Sequence, residues 1–68
     1  MKVYTFEIGK KVYEYYDLRS VKKQAKQIAK EQNNEVLITM IFKGKISAYT
    51  MYPNGEFVID GLNHSFNN

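Results

Sequence analysis

The sequence predicts a two-layer α+β domain in which one amphipathic helix packs on an antiparallel or mixed sheet, in the chain order ββαβββ. Three observations predict it. Two alternating, aromatic-rich segments flank a glycine turn near the N-terminus. One stretch of helical period follows, and three β-rich runs divided by turn residues complete the chain.

Lys2 to Ile8 alternates, with Tyr4, Phe6 and Ile8 on one face and Val3, Thr5 and Glu7 on the other. Val12 to Tyr16 alternates again, placing Tyr13 and Tyr15 opposite Val12 and Tyr16. Gly9-Lys10 between them suits a two-residue type II′ turn, which pairs Tyr4 with Tyr15 and Phe6 with Tyr13. From Asp17, a natural N-cap, the period becomes helical. Leu18, Val21, Ala25, Ile28 and Ala29 form one apolar stripe, and Asn33-Asn34 ends the helix because asparagine tolerates the left-handed conformation.

Glu35 to Lys43 reads as a well-covered strand, Ile46 to Tyr52 as its return, and Phe57 to Asp60 as a short last strand. Asn54-Gly55 predicts a type I′ turn before that last strand. The turn at Lys43-Gly44-Lys45 has two readings. A three-residue loop, the preferred one, puts Val36, Ile38, Met40 and Phe42 beside Ile46, Ala48, Tyr52, Phe57 and Ile59. A two-residue loop exchanges the first set for Leu37 and Ile41. The preferred register leaves Leu37, Ile41, Tyr49, Met51 and Val58 on the face away from the helix. The domain is expected to span 1–61, with 62–68 a frayed tail. The order of elements resembles that of the β-grasp folds with one strand added, a likeness of topology that no residue motif carries and that implies no function.

Composition narrows the function classes. Without cysteine there is neither a disulfide nor a thiolate metal site, and His64 alone makes no zinc site, so no metal or cofactor is expected. Each of the four glycines stands singly, so none builds a phosphate-cradling loop. Ser20, Ser47 and Ser65 lack a nucleophile context, and the carboxylates are scattered. No catalytic residue is assigned, and the expectation is a protein that is not an enzyme. The N-terminus lacks the apolar region of a signal peptide and no run reaches membrane-span length, so the cytoplasm is the expected compartment. Nine Lys to one Arg, with much Asn, Ile and Tyr, matches AT-rich codons, as in a low-GC bacterium or a phage or plasmid within one.

The helix carries the main functional signal. With the apolar stripe on one side, Arg19, Lys22, Lys23, Lys26 and Lys30 fall on one flank with no acid among them. Lys22, Lys26 and Lys30 repel at the i,i+4 spacing that otherwise hosts stabilising pairs. Lys22 and Lys23 also sit toward the positive end of the helix dipole. Such a flank suits an anionic partner, although a solvated basic face needs none. The second signal is tyrosine, which is enriched at protein interfaces and also stacks on bases. Tyr16, Tyr49 and Met51 are the candidate contacts on the uncovered sheet face. The leading expectation is a small accessory factor, of phage or mobile-element type, that binds and inhibits or modulates a host protein. The alternative is a DNA- or RNA-binding protein using the basic flank. The uncovered apolar face also raises the expectation of a homodimer or a dedicated protein partner.

Overall fold

The computed structural model describes residues 1–59. Strands β1 (Val3–Ile8) and β2 (Lys11–Tyr15) precede α1 (Leu18–Gln32). Strands β3 (Val36–Phe42), β4 (Lys45–Met51) and β5 (Phe57–Ile59) follow it. All five strands form one sheet in the order β2-β1-β3-β4-β5, and every pairing is antiparallel. The fold is therefore the expected α+β arrangement, with the sheet antiparallel throughout. Because β1 opposes both β2 and β3, those two strands run parallel with β1 between them. The helix is the crossover that their shared direction requires. Asp60 and the tail expected at 62–68 lie outside the described residues.

The N-terminal hairpin forms as its residues dictate. Gly9 has φ +63°, the first position of a type II′ turn, and Tyr4 pairs with Tyr15 and Phe6 with Tyr13. The helix is closed at both ends by its own neighbours. The Asp17 carboxylate accepts the Ser20 amide at 2.9 Å. Asn33, at φ 54° and ψ 42°, is left-handed. Its amide donates to the Lys30 carbonyl and that of Asn34 to the Ala29 carbonyl, the paired bonds of a Schellman motif.

The turn between β3 and β4 differs from the preferred reading. Phe42 pairs with Lys45, so the loop is the two residues Lys43 and Gly44, both at positive φ (51° and 75°) as a type I′ turn demands. Loop length sets the partner's face. Val36, Ile38 and Met40 do face the helix, but opposite Met51, Tyr49 and Ser47 rather than beside Ile46, Ala48 and Tyr52. Leu37 and Ile41 do join Ile46 and Ala48, yet on the face away from the helix. The turn before β5 differs as well. Tyr52 accepts the Gly55 amide and donates to the Glu56 carbonyl, each at 2.9 Å, and only Gly55 has positive φ (93°). This is a type I turn closed by a left-handed glycine, favoured because Pro53 has the fixed φ of its second position.

The core lies between the helix and the inner sheet face. Val21, Ala25, Ile28 and Ala29 of α1 are buried against Tyr4, Phe6, Val36, Ile38 and Met51. Leu18, placed on the same stripe by its spacing, is 38% exposed. The two alanines let the helix backbone approach the sheet closely, and the aromatic rings spread over the rest. Phe6 stacks on Tyr13 with centroids 4.8 Å apart, and Tyr49 on Phe57 at 5.2 Å.

Candidate functional site

Alternation along each strand leaves Val12 and Glu14 of β2, Val3, Thr5 and Glu7 of β1, and Leu37, Thr39 and Ile41 of β3 on the outer sheet face. Ile46, Ala48 and Thr50 of β4 and Val58 of β5 complete it. Register sorts these residues into transverse rows. Val3, Ile41 and Ile46 stand side by side as an apolar row. Glu14, Thr5, Thr39 and Ala48 form a lower, more polar row next to it. Beyond it, Val12 pairs with Glu7 on one side of the sheet, and Leu37, Thr50 and Val58 align on the other.

The short side chains of the middle row open a groove of about 340 Å³, lined by Thr5, Glu7, Leu37, Thr39 and part of Phe6. Leu37 is 65% exposed at its edge. Among the described strand residues on this face, the only charged ones are the two carboxylates Glu7 and Glu14.

Of the uncovered-face residues expected from the sequence, Leu37, Ile41 and Val58 are there and exposed. Tyr49 and Met51 are not. Met51 is 1% exposed in the core, and Tyr49, half-buried, packs on Tyr4 and Phe57 on the inner face. Both were misplaced for one reason: a two-residue turn inverts every β4 side chain relative to a three-residue one. Ile46 takes their place on the outer face. Tyr16, the residue after β2, is 58% exposed and remains available. The hairpin tyrosines face the helix, where burial pushes the Tyr15 phenol above its usual range, with Tyr13 adding to the shift and Lys11 opposing it. Tyr13 and Tyr15, both half-buried, stack with Phe6 on the inner sheet face.

The basic flank of α1 is exposed at Arg19, Lys22, Lys23, Lys26 and Lys30. Two of these cations already have intramolecular work. The Lys22 ammonium lies 5.0 Å from the Phe57 ring centroid. The Lys26 side chain lies over the β4–β5 turn, its Cε 3.2 Å from where a Cβ on Gly55 would stand. A larger residue at position 55 would therefore meet both the left-handed backbone and Lys26. A second basic cluster marks the β3–β4 end, where Lys2 and Lys43 approach the Phe42 ring at 5.5 and 5.3 Å.

Among the described residues no group of three His, Cys, Asp or Glu side chains could hold a metal ion. No helix there is long and apolar enough to cross a membrane. Comparison with known proteins gives no significant match to a family model, a curated protein or a solved structure.

Proposed function

We propose that this chain is a non-enzymatic binding protein that docks on another protein through the outer face of its sheet. The observation that carries the reading is where the exposed apolar side chains gather. Among the described residues nine large apolar side chains are exposed, and five of them, Val12, Leu37, Ile41, Ile46 and Val58, share that one face. Scattered surface apolar residues are ordinary, whereas a shared face marks an interaction surface. Each Å² covered by a partner would contribute roughly 25 cal/mol. In so small a domain, covering a host protein's surface is the direct route to inhibiting or modulating it, the accessory role expected from the sequence.

Photo-crosslinking tests this reading. A crosslinker at position 41, introduced in cells that express the protein, is expected to capture a protein partner that survives nuclease treatment. The same group at position 23, on the helix, is expected to capture none. Ile46→Lys should abolish the capture while leaving the circular dichroism spectrum unchanged. Capture from position 23 alone, or capture indifferent to Ile46→Lys, would overturn the reading.

The exposed cations of α1 favour a second reading, in which the flank follows a nucleic-acid backbone. It ranks lower because Lys22 and Lys26 have packing roles within the domain. Nucleic-acid binding would weaken steeply with salt, unlike docking through an apolar face.

A further inference from the structure

We propose that the groove between β1 and β3 receives a basic side chain, arginine or lysine, projecting from the protein partner. The inference rests on the outer sheet face being the docking surface and specifies the chemistry of what docks there. Thr5 and Thr39 are cross-strand partners at the groove's floor, and Glu7 and Leu37 stand along it. The alkyl stem of an arginine or lysine would lie on Leu37, the residue of this face most exposed among its strand neighbours. Its charged head would meet the Glu7 carboxylate, with the threonine hydroxyls as further acceptors.

Charge selects this occupant over the alternatives. The strand residues of the outer face carry two carboxylates and no cation, while the described cations lie on the helix, in the loops, at the strand ends or on the inner face. An acidic partner would be repelled by Glu7 and Glu14. A purely apolar partner would desolvate Glu7 without compensation, which is costly. A second copy would bring its own pair of carboxylates against an equally acidic face.

The test uses the full chain and two capped peptides, acetyl-Val-Arg-Val-amide and its norleucine analogue, followed by ¹⁵N–¹H NMR titration. The arginine peptide is expected to shift the amides of Thr5, Glu7, Leu37 and Thr39 selectively. The norleucine peptide should bind about fivefold more weakly, as for a partly exposed charge pair, and Glu7→Gln should remove the difference. Lys23→Gln, on the helix, should leave it intact. Equal binding of the two peptides, shifts centred elsewhere, or no binding would overturn the inference, and the comparison on the unmodified chain decides this even if the Glu7 variant folds poorly. Crosslinking from position 41 separates the two levels. If the peptides do not discriminate but position 41 still captures a partner sensitive to Ile46→Lys, the groove assignment falls and the docking face stands. If that capture fails, the docking face itself falls.

Discussion

Asp17 caps the helix, its carboxylate accepting the Ser20 amide, and that bond, with the Ser20 hydroxyl adding to it, holds the carboxyl below the usual aspartate range. A folded-state pKa below the unfolded value means the unfolded chain binds more protons in the acid range, so stability rises with pH there. The cap's contribution is complete above the ordinary aspartate pKa and is lost as pH falls through the depressed one. Thermal melts from pH 2 to 6 are expected to show that loss in the native chain, and a shallower acid dependence in Asp17→Asn, which keeps a neutral acceptor. Identical pH profiles would show that the cap does not titrate with folding. At the other end, Asn33 occupies the left-handed region where a Cβ without a polar tip is penalised. Asn33→Ala is expected to cost about 1 kcal/mol in chemical denaturation, while Asn33→Gly should cost nothing or stabilise.

The helix shows how much of an element can be legible in a sequence and where legibility stops. Spacing located the buried stripe of Val21, Ala25, Ile28 and Ala29 because a 3.6-residue period is local. Leu18 has the right spacing but sits in the first turn and stays 38% exposed, so its burial is only partial. Ile28→Asp should therefore unfold the domain, since a buried charge costs more than the roughly 3–5 kcal/mol a core this small supplies. Leu18→Gln should lower the melting temperature far less, and equal damage from both would mean the stripe is misdrawn. The basic flank was equally visible as a pattern, but its contacts with Phe57 and Gly55 depend on chain brought from 35 and 29 residues away. Replacing Lys22, Lys26 and Lys30 together with Gln relieves two i,i+4 repulsions of a few tenths of a kcal/mol each. It also removes a cation–π contact worth about 0.5–1 kcal/mol. The stability of that triple variant should thus stay within about 0.5 kcal/mol of the native chain, its two changes offsetting. The β4 register was the least legible feature. Lys43 is a poor residue for positive φ, so the Lys-Gly type I′ turn carried a weak signal, and a one-residue difference in loop length moved Tyr49, Met51 and Ile46 to opposite faces.

At the scale of the molecule the outer sheet face carries charge of one sign: its described strand residues hold Glu7 and Glu14 and no cation, while the cations lie along the helix, at the β1–β2 turn and at the β3–β4 end. The sequence raised a homodimer as one way to cover an apolar sheet. The distribution of charge on that face argues against it, because two copies docked face to face would bury four carboxylates with no cation among the strand residues between them. Like charges brought together out of water disfavour association by several kcal/mol, and natural surfaces use such charges to exclude wrong partners. On the proposed reading, the face is apolar enough to take a protein partner and acidic enough to resist its own copy. Sedimentation equilibrium should find the native chain monomeric near neutral pH. Neutralising the barrier with Glu7→Gln and Glu14→Gln together leaves Val12, Leu37, Ile41, Ile46 and Val58 in place, and that double variant should self-associate in a concentration-dependent manner. Adding Ile41→Lys to it should restore the monomer by placing a charge in the apolar row. A native chain that already dimerises through this face would show that the carboxylates do not guard it, as would a double variant that stays monomeric at millimolar concentration.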